Sequence, residues 1–360
     1  MPTAGDRFGA AVAVTDFFGF SPAATVPNSL AIGIPGRDVG GVADAGAVDV
    51  LSFAAATGAP FDPRLITQDS PGVGGAVEPG AGFGTAVAFG YAGGSQRWLL
   101  DLLAGAPGSH AGGGAVVVVS DRGAAQLYGG AEWTQDTPGV ADTEEAGDGF
   151  GAAITYLVDS FNLIGTICVG SPGEDVATIP NFGVKDAGAV HILQHTWDAT
   201  GPHVTGDTYI TQNSLGVADS SEPSDHFGAV LDNRTLWPGV FVNTLIVGIP
   251  DEDVGAAVDA GAVQTFSLYA TPGGGDQLIT AATAGVPGAV QAGAHFGAAV
   301  GGRTYIGGDL LIGVPDGTGF PGGAVVRMPT LTLAGLATTP GSVWTDPAAG
   351  RYGASISSQT

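Results

Sequence analysis

Residues 83–116 carry the pattern that decides the fold. Phe83-Gly84-Thr85-Ala86-Val87 opens one apolar run, Gly105-Ala106-Pro107 closes a second, and Gly114-Ala115-Val116 begins a third. The chain repeats this pattern. Openers also stand at Phe8-Gly9, Phe150-Gly151, Phe227-Gly228 and Phe296-Gly297; closers at Gly33-Ile34-Pro35, Gly170-Ser171-Pro172, Gly248-Ile249-Pro250 and Gly313-Val314-Pro315. The third phrase returns as Gly46-Ala47-Val48, Gly188-Ala189-Val190, Gly261-Ala262-Val263 and Gly323-Ala324-Val325. Openers follow one another at 75, 67, 77 and 69 residues, so one supersecondary module is repeated in tandem.

Within a module the apolar runs are short and rich in β-branched residues, as in Ala10 to Val14, Leu30 to Ile34, Ala47 to Leu51 and Leu65 to Thr67. No run keeps a 3.6-residue apolar period between caps, so helix is nearly absent from the reading. Four strands per module with glycine-rich turns predict an all-β chain, a β-propeller of four-stranded antiparallel blades. A single array spans 1–360, with approximate blades 6–80, 81–147, 148–224, 225–293 and 294–349. A second phrase, Ile66-Thr67-Gln68-Asp69, Trp133-Thr134-Gln135-Asp136 and Ile210-Thr211-Gln212-Asn213, ends the fourth strand. Val343-Trp344-Thr345-Asp346 resembles that phrase, and Arg351-Tyr352-Gly353-Ala354 reads as a sixth opener, which makes 350–360 a partial strand.

Composition fits a packed array. Glycine supplies 63 of 360 residues, but the 44% apolar fraction falls in short runs at fixed places, which argues for turn glycines over disorder. Acidic residues number 34 against 10 basic ones, for a formal charge of -24, so nucleic acid and anionic membranes are poor partners. A cationic partner or a divalent metal suits that charge better; solubility alone is the plainer explanation. Cys168, the sole cysteine, cannot form an internal disulfide and sits in the apolar run Ile167 to Val169. No stretch has the length of a membrane helix, and Met1-Pro2-Thr3-Ala4 does not read as a secretion signal.

The five in-phase copies of F-G, G-x-P and G-A-V resemble the FG-GAP repeat, the blade of integrin-α-like β-propellers, particularly in glycine-rich bacterial versions. The resemblance covers nearly the whole chain. It implies a non-catalytic extracellular or cell-surface module for adhesion or ligand binding, with a protein or carbohydrate ligand. The alternatives are an accessory propeller of a secreted hydrolase and a structural cell-surface protein. Five modules and a stray strand fall short of a seven-blade ring. The family often carries a calcium loop between the first two strands, and here that loop is broken. Asp16 is followed by Phe17-Phe18-Gly19-Phe20, the third module offers Asp159 and Asn162, and the fourth Asp232 and Asn233. Asp101 and Asp309 stand where the loop's last carboxylate falls. One or two carboxylates per loop supply little of the six to eight oxygens that calcium takes.

Catalytic signals are weak. His191 and His195 share the i, i+4 spacing of helical metal pairs, but on a strand that spacing separates them by about 13 Å, so both read as surface histidines. Ser171 lacks the G-x-S-x-G frame and belongs to the third closer. Lys185, the one lysine, follows no phosphate-binding loop, and carboxylate pairs in so acidic a chain say little about hydrolysis. The reading is therefore not an enzyme.

The opener phenylalanines read as packing anchors between blades. Trp133 and Trp344 belong to the fourth-strand phrase, whereas Trp98 and Trp237 fall in variable loops with the option of touching a ligand. In a meander, connections alternate sides, so the loops joining strands two and three share a face with those leading to the next opener. Those two loop classes hold 22 of the 34 acids. Asp175, Asp186, Asp253 and Asp259 are the leading candidates there for a divalent cation or a basic partner, and Glu145-x-x-Asp148 and Glu222-x-x-Asp225 place carboxylates beside openers.

Overall fold

In the computed structural model the first module is a meander of β1 (Val12–Val14), β2 (Asn28–Ile34), β3 (Ala47–Phe53) and β4 (Pro60–Ile66). The second comprises β5 (Val87–Tyr91), β6 (Leu100–Ala106), β7 (Ala115–Asp121) and β8 (Leu127–Trp133). The third is built from β9 (Ala153–Val158), β10 (Gly165–Ser171), β13 (Ala189–Asp198) and β14 (Gly201–Ile210), with a small hairpin, β11 (Val176–Ile179) and β12 (Phe182–Val184), set into its middle connection. β15 (Val230–Leu236), β16 (Val242–Ile249), β17 (Ala262–Ser267) and β18 (Gln277–Ile279) form the fourth. The fifth pairs β19 (Val300–Gly302), β20 (Leu310–Val314), β21 (Ala324–Met328) and β24 (Ser342–Thr345), and carries the two-residue strands β22 (Leu331–Thr332) and β23 (Gly335–Leu336) before its last strand. Five four-stranded antiparallel sheets, the blades of a β-propeller, are the fold that the repeat predicts. One 3-10 turn, His110–Gly112, is the only helical piece among the described residues.

The structure describes residues 3, 5–15, 28–54, 57–91, 100–121, 127–158, 165–179, 182–198, 201–236, 242–267, 276–302, 309–329, 331–332, 335–336, 340–346 and 350–356. They divide into two compact units, Met1–Val169 with His191–Thr208 and Gly170–Val190 with Tyr209–Thr360.

The three repeated phrases form one device, a seat between neighbouring blades. The carbonyl of the opener's glycine points at the closer's glycine one blade earlier, and a Cβ on Gly33, Gly105, Gly170, Gly248 or Gly313 would overlap the carbonyl oxygen of Gly84, Gly151, Gly228, Gly297 or Gly353. Only glycine permits that approach. The G-A-V glycine has a second reason to be glycine. Gly46, Gly114, Gly188, Gly261 and Gly323 hold φ between 84° and 93°, and each lies against the backbone of the next opener's aromatic residue. Tyr352 occupies this seat on the fifth blade, bridging to Gly323, so 350–356 does act as a sixth opener.

Each seat drives its aromatic ring inward. Phe83, Phe150 and Phe227 are 0% exposed and Phe296 2%. In the first unit, Phe83 joins Val48, Val50, Ile66, Val87 and Leu102 in one core, and Phe150 joins Leu103, Val116, Trp133, Ile167 and Leu193 in another. In the second unit, Phe296 packs with Ile246, Val263, Leu310, Ile312 and Met328. Phe8 departs from the expectation that every opener is core. It is 48% exposed, and among the described residues no G-A-V turn lies over it.

Candidate functional site

The acidic face is assembled by carboxylates that brace its loops. After the closer, Asp38 Oδ1 accepts the backbone N–H of Asp44 at 3.0 Å, Asp175 Oδ1 that of Asp186 at 2.8 Å, and Asp253 Oδ1 that of Asp259 at 2.9 Å. The second residue of each pair is left-handed, with φ of 49°, 51° and 50°. Aspartate tolerates that conformation better than most residues and folds its side chain onto nearby backbone donors, which explains its place there. Beside the openers the same chemistry recurs: Asp6, Asp148 and Asp225 accept the N–H of Thr3, Glu145 and Glu222 at 2.7, 2.6 and 2.7 Å. The two loop classes meet, since the carbonyl of Asp186 accepts from His226 N and that of Asp259 from His295 N, each at 3.2 Å. Within each unit the two classes lie on the same side of their blades, as the meander requires, with Gly82 N–H donating likewise to the Asp44 carbonyl in the first.

In the second unit this face concentrates charge around the fourth opener. Glu252 is 2% exposed and accepts Gln212 Nε2 at 2.7 Å. Burial above all, then the charges of Asp225 and Asp219, pushes its carboxyl up to about 8. Asp225 is raised to about 7, again mainly by burial, which the Glu222 N–H opposes and the neighbouring Glu222, Asp219 and Asp253 reinforce. His226 answers part of this charge. Its Nδ1 lies 2.7 Å from Asp251 Oδ2, and that hydrogen bond leads the causes holding its pKa above the usual histidine value. From there a ladder continues: His295 Nε2 is 3.5 Å from Asp251 Oδ1, His295 Nδ1 is 3.1 Å from Asp316, and Arg351 Nε donates to Asp316 at 3.0 Å.

Sequence reasoning missed the ladder, although its signal was present. An aspartate follows the closer's proline only at Asp251 and Asp316, and these are the modules with His226 and His295 before the opener. Asp175 with Asp186 and Asp253 with Asp259 are brought together, each first member holding its partner's backbone. Lys185 pairs with Asp186 at 2.7 Å. Asp16, Asp159, Asn162, Trp98 and Trp237 lie outside the described residues. Asp309 is held by Arg327 through two bonds at 2.8 and 3.0 Å, and Asp232 sits within β15. Among the described residues no three His, Cys, Asp or Glu side chains converge as a metal cage, and most of the stretch between first and second strands, where the resemblance puts a calcium loop, lies outside them.

Two expectations about the first unit need correction. His191 and His195 are not surface residues but 0% and 2% exposed on β13, whose period of two aims both inward. His191 Nδ1 lies 2.8 Å from Asp207, and His195 Nε2 lies 3.7 Å from Asp101. Asp101 is not a loop ligand either. It is fully buried in β6, where its carboxylate accepts the Ser120 hydroxyl and Trp197 Nε1, the latter at 3.1 Å. Ser171 is wholly buried within the third closer, and burial also pushes the Cys168 thiol far up, which leaves neither poised as a nucleophile.

No protein-family model matches the chain, and no curated protein does. Among solved structures it is similar to the glycoside hydrolase, family 43 YxiA protein from Bacillus licheniformis, at 12% identity and a TM-score of 0.26, over 88% of this chain. The match spans 64% of that protein's length. So loose a likeness carries no argument about chemistry.

Proposed function

We propose that this chain is a non-catalytic extracellular binding module of the adhesion kind, whose acidic loop face takes a basic patch on a protein partner. The observation that carries the reading is the set of solvent-reaching carboxylates Asp186, Asp219, Glu222, Asp251 and Asp253, which crowd His226 and the buried Asp225 and Glu252. Charge so dense is neutralised at low cost by an incoming cationic surface, which steers encounter as well. The FG-GAP resemblance supports the extracellular and adhesive part, and the inert settings of Ser171 and Cys168 support the non-catalytic part. Divalent cations compete for the same carboxylates, with calcium drawing only part of its oxygen shell from the protein.

Titration with an oligolysine peptide at low and at physiological salt tests this. Saturable binding that weakens as salt rises, and that calcium displaces, is the expected result; no binding at low salt overturns the reading.

A further inference from the structure

The second closer departs from the fourth in a way that leaves polar groups of the first unit without partners. In the second unit Glu252, which follows the closer by two residues, accepts the amide of Gln212 from the fourth-strand phrase of the blade before it. Ser109 and Gln68 hold the matching places in the first unit. Serine is too short to take glutamate's part, and the Gln68 amide donates instead to Glu132 Oε1 on β8 at 3.3 Å. Gln68 is 5% exposed and Ser109 1%, yet among the described residues neither Gln68 Oε1 nor Ser109 Oγ has a hydrogen-bond partner. A buried polar atom left in that state is costly, and a ligand that bonds to it recovers the loss.

Beside them three carboxylates surround one imidazole. His110 Nε2 lies 3.4 Å from Glu132 Oε2 and its Nδ1 3.5 Å from Glu144 Oε1, while its backbone N–H donates to Glu78 Oε2 at 2.7 Å. These carboxylates come from the stretch before the second opener, from β8 and from the stretch before the third opener. Glycines admit two of them, since a Cβ on Gly75 would overlap the Glu132 carboxylate and one on Gly113 the Glu144 stem. The Glu132 and Glu144 side chains are only 17% and 15% exposed. Among the described residues one imidazole, cationic only when protonated, is all that answers their charge. The acceptors are oxygens set on both sides of that ring and do not close as a metal cage. Such a set suits a group that sends out three diverging N–H bonds, which is a primary ammonium.

We propose that this recess of the first unit binds the ammonium group of a lysine side chain on a protein partner. Glu132 and Glu144 supply the charge, and Gln68 Oε1 is the neutral acceptor. His110, lying between the two carboxylates, is the internal cation with which the lysine competes. The site draws on none of the carboxylates around His226, so it goes beyond the function proposed above, and either can fail without the other.

Titrating the full chain with Nα-acetyl-lysine methylamide, while following the backbone amide resonances of Gly75 and Gly113, tests the proposal. The norleucine analogue, with the same stem and no ammonium, is the control. Saturable shifts with the lysine compound and none with the control are expected. Glu132→Gln, which keeps an acceptor for the Gln68 amide, should weaken binding about fivefold, the scale of one partly exposed ion pair. His110→Gln should strengthen it several-fold by removing the competing cation, an effect that a merely structural histidine would not give. Asp253→Asn, in the second unit, should leave it unchanged. If Glu132→Gln fails to fold, Glu144→Gln replaces it. No saturable shift, an equal response to the norleucine compound, a response to calcium but not to the lysine compound, or unchanged affinity in the glutamine variants overturns the proposal.

Discussion

Gln212 donates its side-chain amide to the carboxyl of Glu252 across 2.7 Å, at a place where both side chains are shut away from water. The bond fixes the carboxyl in position, but burial and the Asp225 and Asp219 charges still raise it to about 8. A raised carboxyl favours the folded state while it is protonated. Its contribution is whole below the ordinary carboxylate range, near pH 4, and is lost as pH climbs through the folded value. Asp225, at about 7, and His226, raised chiefly by Asp251, act with the same sign. Stability should therefore fall between about pH 4 and pH 8 by a few kcal/mol. Glu252→Gln, which keeps a partner for Gln212, should flatten much of that slope in urea melts. An equal slope in the variant would refute the assignment.

The contrast between Phe150 and Phe8 gives a second test. Phe150 fills a closed seat, and Phe150→Ala should cost about 3–5 kcal/mol. Phe8 has the same place in its module but lies half in solvent, so Phe8→Ala measured at low protein concentration should cost well under 1 kcal/mol. Equal losses would mean that the first opener is as enclosed as the others.

Asp101 tests the polar core of the first unit. Replacing it with alanine strands the Ser120 hydroxyl and the Trp197 indole N–H in a dry interior and removes the carboxylate facing His195. A loss of about 3–5 kcal/mol is expected, as when one partner of a buried pair is removed. Asp101→Asn should recover part of it by accepting from Trp197. Denaturant midpoints of the two variants decide this.

The blades were legible because the seat needs the same residues each time. Gly170 must be glycine to admit the Gly228 carbonyl, and Gly188 to turn left-handed against Phe227, so the backbone writes its demand into the sequence five times over. The acidic face was legible as a density of charge, but the division of labour within it was not. Whether Asp175 is a free ligand or a brace depends on whether its Oδ1 reaches the Asp186 N–H across eleven residues and an inserted hairpin. His191 and His195 were misread because a polar residue on a strand is exposed by default, and only the arrival of Asp207 and Asp101 from other strands makes their burial tolerable. Phe8 was misread for the opposite reason, since its local phrase is intact and the difference lies in what covers it.

The central claim, that the carboxylates of the loop face bind a cationic partner, is tested most directly by Asp175→Asn, Asp186→Asn, Asp253→Asn and Asp259→Asn combined. Asparagine keeps an oxygen for each loop-bracing N–H and removes only charge, so the fold should be retained. Oligolysine binding should weaken at least tenfold, and its dependence on salt should become shallower in proportion to the charges lost. Unchanged affinity and an unchanged salt dependence would show that this face is not where the partner binds.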